Sequence, residues 1–159
     1  MKKLLIFFFV YLFTTSINSQ KKNDVIAEVS NNEVNIKLHR LIDSGESSEG
    51  KKFLIAEITI ENISDKPVNM GAEYTMSIEI KDNKGNEYRS GLKGAGIVST
   101  FLAKNTDYKQ DNKSYNLSFS DNFPPKTKAK SFLCGYEIPK DAKIVAFGVK
   151  KKNLWTNIK

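Results

Sequence analysis

The chain of 159 residues holds one cysteine, one histidine, one tryptophan and four prolines. A single thiol, Cys134, cannot close an intramolecular disulfide, so the fold must be held by its apolar core. Zinc and copper sites draw on Cys, His and Met, but Cys134, His39, Met70 and Met76 stand at unrelated spacings and make no ligand set. Nucleophilic catalysis wants a base beside the nucleophile; His39 is the sole imidazole, and no Gly-x-Ser-x-Gly elbow is present. Gly91-Leu92-Lys93-Gly94-Ala95-Gly96 is glycine-rich, yet a phosphate cradle needs backbone N–H groups that open a helix. No helical pattern is read after Gly96, so this stretch is expected to be a flexible or bulged connection. Asp82-Asn83-Lys84-Gly85-Asn86-Glu87 lacks the alternating spacing of a calcium loop and reads as a hairpin turn. The sequence predicts neither an enzyme nor a cofactor.

Long apolar runs are also scarce, and the one present has a specific character. Lys2 and Lys3 precede a ten-residue apolar stretch at residues 4–13, which gives way to a polar segment at residues 14–20. That order is the signature of a secretory signal, and ten residues are too few to span a bilayer, which takes roughly 20. Cleavage is expected after Ser19, with Ser16 as the fallback. Residues 1–19 are then the signal peptide, 20–32 a partly extended N-terminal segment, 33–150 the folded domain and 151–159 a basic tail or final strand. No cysteine follows the apolar stretch to take a lipid, so the expected product is exported, periplasmic or extracellular, without transmembrane or lipid anchor. Removing residues 1–19 leaves 140, enough to bury a core without staples.

Loss of Lys2 and Lys3 lowers the formal charge from +7 to +5. The remaining lysines are spread along the chain, which fits solubility and gives at most weak attraction to anionic surfaces. No nucleic-acid partner is implied.

What the chain does have is alternation of period two, which puts one set of side chains inside and the other in water. Val34, Ile36, Leu38 and Ile42 share a face in residues 33–42; Leu54, Ala56, Ile58 and Ile60 share one in residues 53–61. Tyr74, Met76, Ile78 and Ile80 alternate cleanly with polar partners, and residues 74–88 read as a hairpin. Later runs are Tyr115, Leu117 and Phe119; Phe132, Cys134, Tyr136 and Ile138; Val145, Phe147 and Val149. Ser64-Asp65-Lys66-Pro67 and Asp82-Asn83-Lys84-Gly85-Asn86 supply turns. The expected fold is all-β, an antiparallel sandwich of about seven strands without helices beyond a turn or two. Residues 83–113 are expected to form a long connection with an edge strand at residues 97–102.

The stretch Lys52-Phe53-Leu54-Ile55-Ala56-Glu57-Ile58-Thr59-Ile60-Glu61-Asn62-Ile63-Ser64-Asp65-Lys66-Pro67-Val68 resembles the early strand pair of secreted bacterial immunoglobulin-like domains of unknown function, where a long strand ends in an Asn-x-Ser-Asp turn. The resemblance runs through Asp82-Asn83-Lys84-Gly85-Asn86-Glu87-Tyr88 and Tyr136-Glu137-Ile138-Pro139-Lys140-Asp141-Ala142-Lys143, covering about residues 34–149. It implies an immunoglobulin-like fold and an envelope location, and no catalytic residues.

The leading functional expectation is a monomeric, non-enzymatic interaction module that engages an envelope protein or glycan. The alternative is a small-ligand or glycan carrier that stacks its ligand on Tyr108, Tyr115, Phe123 and Trp155 near the long loop; Lys150, Lys151 and Lys152 are candidate basic contacts for a ligand or partner on either reading. Cys134 is expected to be a small core hydrophobe and His39 a solvated surface residue. Asn62-Ile63-Ser64 and Asn116-Leu117-Ser118 match the glycosylation acceptor pattern, but turn and strand roles suffice for both.

Overall fold

Val34, Ile36 and Leu38 are fully buried, as are Ile58 and Ile60 on the neighbouring strand, so the alternation of these segments is the burial pattern of paired strands. The computed structural model describes residues 24–105, 122–127 and 130–159. Strands β1 (Ala27–Ser30), β2 (Val34–Ser48), β3 (Lys51–Asn62) and β8 (Lys130–Pro139) form one antiparallel sheet in the order β1-β2-β3-β8. A second antiparallel sheet has the order β10-β9-β5-β6, from β10 (Leu154–Asn157), β9 (Ile144–Val149), β5 (Ile78–Asp82) and β6 (Glu87–Arg89). A short pair, β4 (Val68–Asn69) with β7 (Asn122–Phe123), sits between them in sequence.

The inner faces of the two large sheets meet in one apolar cluster. It joins Ile36, Ile58, Phe132 and Tyr136 of the first sheet to Ile78, Ile80, Phe147 and Val149 of the second. Burial of each such side chain stabilises the fold by about 1.5–3 kcal/mol, which replaces the absent disulfides. Along one side the sheets are tied together by the Lys159 amide, which donates to the Ile26 carbonyl at 3.0 Å. The C-terminal residues are thus a strand and its anchor rather than a tail.

Helix content departs from expectation. Residues 91–104, read as connection and edge strand, form the 14-residue helix α2 (Gly91–Lys104). A 3-10 turn at Thr75–Ser77, preceded by a short helix α1 (Met70–Glu73), occupies the first half of residues 74–81, the cleanest alternation in the sequence, so the hairpin is confined to β5 and β6. Tyr74 is nevertheless fully buried, which explains why a turn here mimics strand alternation.

Helix α2 exists because the first sheet is apolar on its outer face as well. Ile55 and Leu133 point outward and pack with Ile97, Val98 and Phe101 of α2, flanked by Ile42, Phe53 and Leu102. The helix approaches β8 to backbone contact at two glycines: a Cβ on Gly135 would lie 2.6 Å from the Gly94 carbonyl oxygen. Among the described residues no helix is long and apolar enough to cross a membrane.

Candidate functional site

At one end of the two sheets, three chain segments converge on Asn62. The residue is fully buried at the end of β3. Its side-chain amide donates to the carbonyls of Lys66 (2.7 Å), Phe123 (3.1 Å) and Pro124 (2.9 Å). Its carbonyl oxygen accepts from the Ser64 amide and hydroxyl at 2.9 and 2.8 Å. The Asn-x-Ser-Asp turn is therefore a clamp that holds the β3–β4 connection and the segment after β7 together. The Ile63 amide reaches back to the Glu33 carbonyl at 2.9 Å, and the Lys126 amide to the Ser64 carbonyl at 3.1 Å.

Between these segments lies a cleft of about 440 Å³ lined by Asn32, Glu33, Ile63, Lys66, Pro67 and Lys126, among others. Lys126 straps one wall, donating to the Ile63 carbonyl at 2.6 Å and pairing with Asp65 at 3.3 Å. Glu33 forms the other wall. Its carboxylate accepts from the buried Tyr74 hydroxyl, which in turn accepts from the Asn31 amide at 3.2 Å. Burial pushes the Tyr74 phenol up to about 12, so it remains a donor throughout the physiological range.

The basic residues of the expected site belong to ion pairs. Lys151 and Lys152 both hold Glu73, at 2.7 and 2.9 Å, and their hydrogen bonds bring that carboxyl down to about 2. Lys150 pairs with Glu87 at 2.5 Å and lies 3.8 Å from Glu79. Each of these lysines faces a carboxylate of its own chain, with Lys151 and Lys152 sharing Glu73, so the run is less free for a partner than its sequence implies.

The aromatic expectation also changes. Phe123 is 2% exposed and belongs to the core, where no ligand reaches it. Trp155 lies opposite Gly148 in the β9–β10 register, and a Cβ on Gly148 would stand 2.6 Å from the indole. Lys81 Nζ is 4.0 Å from the ring centroid. Two neighbours thus occupy the indole surface, which makes Trp155 a cover for sheet backbone rather than a stacking platform. Neither Phe123 nor Trp155 lines the cleft, and Tyr108 and Tyr115 lie outside the described residues.

Residues singled out for chemistry have structural partners. His39 is half-buried, its Nε2 3.0 Å from the Thr59 hydroxyl, and burial lowers its pKa while Glu57 opposes the shift. Asp82 in the β5–β6 hairpin accepts from the Lys84 amide (2.9 Å), from the amide and side chain of Asn86 (2.9 Å each) and from the Tyr88 hydroxyl (2.7 Å). It is the hub of a turn. Among the described residues no three His, Cys, Asp or Glu side chains are placed to hold a metal ion.

Burial works against ionisation at Asp82, but these donors outweigh it and hold its carboxyl at about 2, below the ordinary 3.8. A carboxylate with a depressed folded pKa contributes stability that is complete above its unfolded value and lost as pH falls through the folded one. Between pH 4 and 2 the thermal midpoint of the wild type should therefore fall more steeply than that of Asp82→Asn. Parallel melting curves across that range check this.

Cys134 faces inward on β8 between Phe132 and Tyr136, and burial pushes its thiol up to about 12. A buried thiol with so little thiolate should resist a thiol reagent until the protein unfolds. Fast labelling of native protein would contradict this.

No family model matches the sequence, and no curated protein matches it. The chain is similar to the crystal structure of a conserved hypothetical protein from Bacillus anthracis, with 16% identity, 85% of this chain and 94% of that chain covered, and a TM-score of 0.56. At that identity the likeness concerns the fold alone: a mostly β, antiparallel architecture is shared with a protein of another sequence.

Proposed function

We propose that the protein is an exported, immunoglobulin-like binding module of the bacterial envelope that performs no reaction of its own, and that its partner surface is the cleft at the Asn62 end. One observation carries the reading. The cleft is preformed, because the turn at residues 63–66 and the segment after β7 are tied together through the buried Asn62 side chain, and the Ile63 amide ties that turn to the Glu33 wall, rather than being assembled from free loops. A preformed recess lowers the ordering cost of binding. Two paired sheets with connecting loops gathered at one end, and the resemblance of residues 34–149 to secreted immunoglobulin-like domains, support the same reading. The aromatic carrier is less well supported, because Phe123 and Trp155 are both occupied in the fold.

The test places a photo-crosslinking residue at position 32, where the exposed Asn32 lines the cleft, and separately at position 92, where Leu92 is 87% exposed on α2. A discrete adduct with one envelope component from position 32, absent from position 92, is expected. No adduct from position 32, or the same adducts from both, would overturn the proposal. Export is checked separately: intact-mass analysis of exported protein should give a chain that begins at Gln20. A chain that begins at Met1 would contradict it.

A further inference from the structure

The cleft has a charge pattern that specifies more than a generic surface. Four charged side chains line it: Glu33, Asp65, Lys66 and Lys126. Asp65 and Lys126 are paired with each other. Glu33 and Lys66 are not so matched. Glu33 is met by neutral donors, the Tyr74 hydroxyl above all, and among the described residues no cation pairs with it. Lys66 uses its backbone carbonyl and amide within the turn, with Asn62 and Ser64, while its ammonium has no carboxylate partner among the described residues. Ile63, Pro67 and Val68 supply the apolar part of the lining.

We infer that the cleft recognises a small zwitterion, a short peptide with both ends free, with its ammonium at Glu33, its carboxylate at Lys66 and an aliphatic side chain on Ile63, Pro67 and Val68. The inference rests on the binding-module reading and adds the ligand class. Glu33 is suited to receive a cation because Tyr74 and Asn31 fix its carboxylate without neutralising it. Lys66 is suited to receive an anion because the Asn62 clamp fixes its backbone while its side chain stays in solvent. A recess of about 440 Å³ falls within the usual range for small-ligand sites. The partner supplies both charges that the cleft lacks, and both ends are needed.

The experiment is a shift titration of the isotope-labelled mature protein with alanyl-leucine, with its N-acetylated form and with its C-terminal amide. Alanyl-leucine should shift the amides of residues 32–33 and 63–68, with a dissociation constant on the order of 0.1 to 1 mM. Each blocked form should bind more weakly by up to about fivefold, the upper end of the range for one solvent-facing ion pair. Glu33→Gln should abolish the difference between the free and acetylated peptides, and Lys66→Gln that between the free and amidated ones. Both variants should keep the remaining spectrum unchanged, which shows that they fold. Equal binding of free and blocked peptides, shifts confined to other regions, or no shift at 10-fold above about 1 mM peptide would overturn the inference. Those results leave the crosslink from position 32 untouched, so failure here and failure of the binding-module proposal are distinguishable.

Discussion

Replacement of Asn62 by alanine is expected to destabilise the protein by about 3 kcal/mol or more, the largest effect of any polar substitution considered. Five hydrogen bonds end at this fully buried side chain. Its removal takes a donor from the carbonyls of Lys66, Phe123 and Pro124 and an acceptor from the Ser64 amide, at bonds that are buried or half-buried, and each such loss costs about 1–3 kcal/mol. Asn62→Asp is a sharper test because its shape is conserved. It would aim a carboxylate at the carbonyls of Lys66, Phe123 and Pro124, and the like-signed dipoles together with burial would raise its folded pKa. The variant should therefore lose stability as pH rises above the usual carboxylate range and recover part of it in mild acid, opposite in sign to the Asp82 contribution. Denaturant melts of both variants at two pH values check the prediction. A loss below about 1 kcal/mol for Asn62→Ala would show that water or a rearranged turn replaces the clamp.

The second large effect concerns two glycines two residues apart in α2. Gly94→Ala should destabilise by about 1–3 kcal/mol, because the new methyl would meet the Gly135 carbonyl and the Ser90 side chain, and backbone cannot yield as a flexible side chain can. Gly96→Ala should instead stabilise by about 0.5–1 kcal/mol, because its Cβ would project into open space while the unfolded chain loses freedom. Opposite signs from the same substitution in one helix would establish that the helix is seated on β8 through Gly94. Equal signs would mean that it stands off the sheet.

The same helix shows why part of the fold escapes sequence reading. The strands are legible where one face is buried and the other wet, as in Val34, Ile36 and Leu38, since period two is then the dominant signal. In α2 the glycines at 91, 94 and 96 suggest a broken pattern, yet Gly94, Ile97, Val98, Phe101 and Leu102 fall at helical spacings and form the packed face. A second clue lies in β3 itself. Phe53 and Ile55 are apolar on the face assigned to solvent, which only a covering element explains. The short segment Tyr74 to Ser77 misleads in the other direction, because a buried Tyr74 and Ile78 flank a turn whose spacing imitates a strand.

The candidate site is less legible still. Asn62, Ser64 and Lys66 are visible as a turn, but the reach of the Asn62 amide to Phe123 and Pro124, some sixty positions away, is a product of topology. Glu33 gains its role from Tyr74 across 41 positions. Lysines 150 to 152, by contrast, look like a basic patch in one dimension and are matched with Glu73, Glu79 and Glu87 in three. Local sequence shows charge, while pairing across strands decides whether that charge is available.

That the cleft is preformed is tested most directly by hydrogen exchange at the amides of Ile63, Ser64 and Lys126 in the free protein. Each donates to a partner across the cleft or within the clamp, to the Glu33 carbonyl, the Asn62 side chain and the Ser64 carbonyl in turn. Loop amides without such partners exchange by local fraying at almost no free-energy cost, whereas amides locked into the core open only with larger units. These three amides should be protected to within about tenfold of the β3 amides, and should lose that protection together in Asn62→Ala. Rapid, independent exchange at the three positions in the wild type would contradict it, since the cleft would then be assembled from mobile loops only when a partner arrives.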